Sequence, residues 1–139
     1  MEYYLFISNT DSAGTYSFNT PDLFTVDLCR EYILPGRWSV ALTEVCFENR
    51  FTSNIKYLCI GLNIVKPTFI KNQERSLLRK ISVQGLAGHD TNLIFTRPYY
   101  FNICERNFQT LQFKLFNQDL NSAGFKGELS LVLHIKHNG

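Results

Sequence analysis

The residues of this 139-residue chain best suited to chemistry are three histidines and four cysteines. Their spacing argues against a reaction centre. His134 and His137 stand three apart in a stretch of period-two alternation, so they point to opposite faces of a strand and cannot share a metal as i, i+2 residues would. His89 stands in a loop-forming segment. Cys29, Cys46, Cys59 and Cys104 make no C-x-x-C pair, which sets aside a zinc ribbon. Each lies in an apolar run and reads as an isolated buried thiol of a reducing compartment, although the count also admits two disulfides. Asp90, Glu105, Asp119 and Glu128 read as loop or strand-end carboxylates, and the serines lack a His and Asp setting. No Walker loop, nucleophile elbow or glycine-rich dinucleotide motif is present, and Asp119-Leu120-Asn121 is too sparse for a calcium loop. The reading is of a protein that is not an enzyme and carries neither metal nor cofactor.

Alternating apolar residues mark the elements that would hold these side chains. Tyr3–Ile7 reads as a first strand, and Phe24–Leu28 as a second with Phe24, Val26 and Leu28 on one face. Leu34-Pro35-Gly36 suits a type II turn, because proline fixes φ at one central position and glycine accepts positive φ at the next. Arg37–Phe47 follows as a long central strand with a fault in its phase. Trp38, Val40 and Leu42 share one face, while Val45 and Phe47 fall on the other. One extra residue near Thr43-Glu44 would return all five to the core, so we expect a β-bulge there with Glu44 turned outward.

Further strands are expected at Lys56–Val65, Leu77–Gly85, Pro98–Ile103, Thr110–Gln118 and Glu128–His137, with loops at Asn9–Gly14 and Ala87–Asn92 and one helical turn at Glu105–Gln109. Tyr16-Ser17-Phe18 is a possible ninth strand. Eight antiparallel strands without a convincing helix predict an all-β fold. The expected architecture is a single eight-stranded antiparallel jelly-roll sandwich spanning residues 1–139 as one domain.

Composition agrees with a broad β core, with twelve Phe and seven Tyr against one Trp and one Met. Trp38 reads as core packing. Fourteen Lys and Arg against twelve Asp and Glu leave a net charge of only +2, so direct nucleic-acid binding is not expected. The small positive excess is concentrated in Lys66–Lys80, where Lys66, Lys71, Arg75, Arg79 and Lys80 face a lone Glu74. This reads as a solvated loop leading into a strand, with a docking surface for an acidic partner or for DNA as its competitor. No apolar run reaches the roughly 18 residues of a membrane span, and Met-Glu-Tyr-Tyr opens on a strand rather than a signal peptide. The expected product is soluble and intracellular when made.

Apolar side chains on faces expected to be exposed are more informative. Val132 lies between Ser130 and His134, Phe116 between Lys114 and Gln118, and Phe51, Tyr57 and Tyr100 look partly uncovered. Together with Thr43 and Glu44, which a bulge would present outward, they form the candidate subunit interface: Thr43, Glu44, Phe51, Tyr57, Tyr100, Phe116 and Val132.

The run Phe24-Thr25-Val26-Asp27-Leu28, followed by Leu34-Pro35-Gly36-Arg37-Trp38-Ser39-Val40-Ala41-Leu42-Thr43-Glu44-Val45-Cys46-Phe47, resembles the N-terminal signature of Polinton and adintovirus penton (minor capsid) proteins. Leu77-Leu78-Arg79-Lys80-Ile81, Pro98-Tyr99-Tyr100-Phe101, Phe108–Gln118, Gly124 and Gly127–Lys136 are similar in the same order. The resemblance covers most of the chain but rests on degenerate segments, and no insertion domain is present. It implies a virion protein of the double jelly-roll lineage, adomavirus-like relatives included. Such a protein is made in the host cell and assembled in the nucleus. It would form a homopentamer at the vertices of an icosahedral capsid and contact neighbouring major capsid protein trimers. The alternative is a trimeric jelly-roll receptor-binding head or ligand domain, and a cupin-type enzyme is a third class that would need a metal.

Overall fold

The computed structural model describes residues 1–11, 14–83 and 89–139. Ser12, Ala13 and residues 84–88 lie outside the described residues, and with them part of the expected loops Asn9–Gly14 and Ala87–Asn92 and the end of the expected strand Leu77–Gly85. Eleven strands and no helix occur among the described residues: β1 (Glu2–Ser8), β2 (Leu23–Ile33), β3 (Trp38–Glu48), β4 (Tyr57–Leu62), β5 (Thr68–Ile70), β6 (Gln73–Arg75), β7 (Leu77–Ser82), β8 (Asp90–Ile94), β9 (Phe101–Asn102), β10 (Asn107–Phe116) and β11 (Leu129–His137). The protein is all-β with antiparallel sheets, and the count of eight is corrected to eleven. One sheet has the order β1-β11-β3-β8, with the short β9 also on β3; the other runs β2-β10-β4-β7; β5 and β6 form a separate hairpin.

Period-two alternation explains which faces meet. Leu5, Ile7, Val40, Leu42, Leu131 and Leu133 of the first sheet join Phe24, Val26, Leu58, Ile60, Leu111 and Phe113 of the second in one buried cluster. Trp38 lies in it, and its indole N–H donates to the Pro35 carbonyl at 2.8 Å. That contact clamps the turn in which Gly36 takes φ +88°, the left-handed conformation expected of it.

The phase fault in β3 is a bulge. Across the ladder Val132 faces Glu44, whereas Leu133 faces Leu42, which leaves Thr43 as the extra residue. Trp38, Val40, Leu42, Val45 and Phe47 are consequently all buried. The carbonyl of Thr43 accepts from the Phe95 amide at 2.9 Å, so the bulge also fixes the end of β8.

Other expectations are corrected by tertiary pairing. Glu105–Gln109 forms no helical turn: Asn107 and Phe108 pair with Ile33 and Tyr32 of β2, and the Arg106 carbonyl accepts from Leu34 at 2.7 Å. Asp90–Asn92 is strand rather than loop, because β3 is long enough to pair Glu44–Glu48 with a second neighbour. Tyr16-Ser17-Phe18 is not a strand, and the loop around it is tied down by Asn19, whose side chain exchanges two hydrogen bonds with the Thr25 backbone. The Lys66–Lys80 stretch holds the β5–β6 hairpin as well as β7. Its two turn residues, Lys71 and Asn72, both have positive φ (48° and 62°), as a type I′ turn requires.

Candidate assembly surface

Both open sides of the two-layer structure are closed by arginine stacked on aromatic rings. On one side Arg30 of β2 lies 4.1 Å from the Tyr32 ring centroid and 5.6 Å from that of Tyr3 on β1. Tyr3 in turn stacks on Trp38 and meets Tyr32 edge-on. On the other, Arg79 of β7 lies 3.9 Å from both the Phe95 and the Tyr99 ring centroids, at the end of β8. A guanidinium suits these places because its flat, weakly hydrated face packs on a ring. With the flanks closed in this way, the two outward sheet faces are the broad surfaces left open.

The outward face of β1-β11-β3-β8 is built by register. Phe6 faces Val132 on β11, Val132 faces Glu44 on β3, and Glu44 faces Ile94 on β8. This row crosses the whole sheet, and its ends are bare: Phe6 is 77% and Ile94 70% exposed. One row along, Ser8, Ser130, Cys46 and Asn92 align in the same way. A groove of about 370 Å³ runs between the rows, lined by Phe6, Ser8, Asp11, Glu44, Cys46 and Val132 among others. Among the described residues, the strand positions of this face carry Glu2, Glu44, Glu48 and Asp90 against one cation, Lys136. The face is apolar along its row and acidic around it.

At the far end of the same face sits a polar cluster. His134 is buried, with Tyr4 stacked on its ring at 4.5 Å. Its Nδ1 shares a hydrogen bond of 2.8 Å with the Tyr100 hydroxyl, and its Nε2 one of 2.6 Å with Glu2. Lys136 covers the Tyr100 ring at 3.9 Å. Burial pushes the Tyr100 phenol up, with Tyr4 and Glu2 adding to it. Both imidazole nitrogens are therefore engaged within the subunit. His137 points to the other side and packs edge-on against Trp38.

The outward face of β2-β10-β4-β7 differs. Lys80 and Lys114 project from it, with Asp27 on the β2 edge, and Lys80 lies 4.1 Å from the Tyr57 ring centroid. The β5–β6 hairpin covers one end: Ile70 and Leu77 pack on a small cluster of Cys59, Phe116 and Leu120. Lys71 pairs with Asp119 at 2.8 Å, but both are more than half exposed, so the pair adds little stability.

The seven candidate interface residues are thus only partly brought together. Thr43, Glu44 and Val132 adjoin on the acidic face, where Thr43 donates its hydroxyl to the Val132 carbonyl at 3.2 Å, and Tyr100 lies at that face's polar end. Tyr57 is on the opposite face. Phe51 packs on Phe125, and Phe116 is buried beneath the hairpin, which corrects its expected exposure. Phe6, Tyr4 and Ile94 belong to the surface and were not expected there. In Tyr3–Ile7 both alternate positions are apolar, so the sequence pattern does not say which set faces outward.

The cysteines are free, but Cys29, Cys46 and Cys104 are exposed and Cys59 alone is buried, correcting the expectation of four buried thiols. Cys46 is turned outward by strand alternation, because its neighbours Val45 and Phe47 face the core. Among the described residues no three His, Cys, Asp or Glu side chains are grouped to hold a metal ion, and no helix is long and apolar enough to cross a membrane. No protein-family model matches the chain, and no curated protein matches it.

Proposed function

We infer that the chain is a jelly-roll structural subunit of penton type, assembling with four further copies into a pentamer that sits at a capsid vertex and contacts major capsid protein trimers. The observation that carries the reading is the strand order. Counting only the eight strands of the two main sheets, β1, β2, β3, β4, β7, β8, β10 and β11, successive strands alternate between sheets until β4 and β7 pair, giving orders 1-8-3-6 and 2-7-4-5. That order, with the first and last strands side by side, supports the winding of a jelly roll. The additions, β9 and the β5–β6 hairpin, decorate this winding.

A structural role fits the chemistry of the surface. The polar groups nearest to a reaction centre, Tyr100, His134 and Glu2, satisfy one another. The two broad sheet faces, by contrast, differ in charge and carry exposed apolar groups, as lateral contacts in a ring require. Native mass spectrometry and electron microscopy of the purified protein test the reading. Five-fold rings are expected; a protein that stays monomeric at high concentration overturns it, and a stable trimer transfers the chain to the receptor-binding head or ligand class.

A further inference from the structure

We propose that the acidic outward face of β1-β11-β3-β8 in one copy docks on the lysine-bearing outward face of β2-β10-β4-β7 in a second copy, so that the ring contact is head-to-tail. This rests on the assembly reading above and specifies which surfaces carry it. Three observations lead to it.

The first is the exposed row Phe6–Val132–Glu44–Ile94. Singly exposed apolar residues are ordinary, but here register lines them up across four strands with a groove beside them. A row of this kind loses unfavourable hydration only when another flat surface covers it.

The second is charge. Glu44, Glu48 and Asp90 surround the row, while Lys80 and Lys114 project from β7 and β10 of the other sheet, whose carboxylates Asp27 and Glu31 are confined to its β2 edge. Two copies meeting acidic face to acidic face would oppose like charges. Setting the acidic row against the lysines of the other face is the pairing that attracts.

The third is geometry. The two surfaces lie on opposite sides of one subunit, so a contact between them leaves one of each free on the resulting pair. Such a heterologous contact repeats until the chain of subunits closes. The flat face supplies most, but not all, of the area of a standard contact. Four strands about 4.8 Å apart and about 30 Å long give a projected face of roughly 600 Å². Standard interfaces bury about 800 Å² per partner, or about a tenth of a small protein's surface, and this subunit exposes 7984 Å².

Two variants test the direction of the contact. Phe6→Ser with Glu44→Lys disables the acidic face; Lys80→Glu with Lys114→Glu disables the lysine-bearing one. These side chains are outward, and circular dichroism and thermal melts of each variant should match those of dispersed wild-type subunits. Each variant alone should be monomeric in native mass spectrometry, with association weakened tenfold or more. Mixed in equal amounts they should form 1:1 heterodimers, because the mixture retains one intact acidic and one intact lysine-bearing face. Ile94→Ser supplies a third, independent lesion of the acidic face and should also disperse the ring. If either double variant still assembles by itself, or if the mixture gives no heterodimer, the head-to-tail assignment is overturned. Failure of the wild-type protein to form rings is a different result: it removes the assembly reading itself.

Discussion

The Thr43 hydroxyl donates to the Val132 carbonyl across the β3–β11 ladder at 3.2 Å, at the one place where the register of that pair slips. A bulge leaves ladder groups without regular partners, and here the Thr43 side chain and the Phe95 amide take up that loss. The slip keeps five large side chains of β3 in the core and turns Glu44 to the outer face.

Deleting Thr43 should therefore prevent folding. Without the extra residue, either Trp38, Val40 and Leu42 or Val45 and Phe47 must leave the core. Each large apolar side chain lost costs about 2–5 kcal/mol, and whole domains are stable by only about 5–15 kcal/mol. Thr43→Val keeps the shape and loses one hydrogen bond, so a loss of about 1 kcal/mol is expected in urea unfolding. A deletion variant that folds with a cooperative transition near wild type would disprove the role of the bulge.

Arg79 should act as a clasp through its planar stack rather than its charge. Arg79→Lys keeps the charge but loses the fit between the Phe95 and Tyr99 rings, and should cost about 1 kcal/mol. A double-mutant cycle of Arg79→Ala with Tyr99→Ala should return a coupling of about 0.5–2 kcal/mol, since the two groups are in contact. Strict additivity of the two single losses would count against the clasp.

Much of the fold was legible because burial and alternation coincide. Leu129, Leu131, Leu133 and Ile135 of β11 read inward without ambiguity, and the mismatch between Leu42 and Val45 announced the bulge. Legibility failed where apolar residues are adjacent. In β8 only Leu93 and Ile94 are large and apolar, and they point to opposite sides, so no alternation betrayed the strand or the exposed Ile94. Leu115 and Phe116 are adjacent in the same way, and Phe116 is buried by a hairpin that local patterning does not encode. The surface itself is a product of register among β1, β11, β3 and β8, whose strands come from both ends of the chain, and it has no local signature.

Gly124 should tolerate no side chain. Its φ is +66°, and a Cβ there would collide with the Thr52 hydroxyl oxygen. Strain of about 1–2 kcal/mol in the left-handed region adds to the clash, so Gly124→Ala should destabilise by at least about 2 kcal/mol. Thr52→Ala removes the offending oxygen and, combined with Gly124→Ala, should recover the part due to the clash but not the part due to φ. No recovery in guanidinium unfolding would show that the backbone alone decides.

Asn9 should anchor the end of β1. It is buried, its amide donates to the Gly127 and Pro21 carbonyls at 3.0 and 3.3 Å, and its side-chain oxygen accepts from the Leu129 amide at 3.1 Å. Asn9→Ala leaves these backbone groups without partners and should cost about 1–3 kcal/mol. Hydrogen exchange at the Leu129 amide should quicken in the variant. An unchanged rate would mean that the backbone bond from Asn9 to Leu129 holds the strand by itself.

The thiols should separate into one slow and three fast. Burial pushes the Cys59 thiol up, and the nearby Lys80 charge opposes this only in part. At mildly alkaline pH an alkylating reagent should therefore modify Cys29, Cys46 and Cys104 well before Cys59, as read by peptide mass spectrometry. Lys80→Ala removes the charge that lowers the Cys59 value and should slow that site further. Cys46 reports on assembly as well, because it lines the groove beside Phe6 and Glu44. Its modification should be slow in rings and fast in the dispersed Phe6→Ser, Glu44→Lys protein. Equal Cys46 rates in ring and monomer would place the subunit contact away from this face.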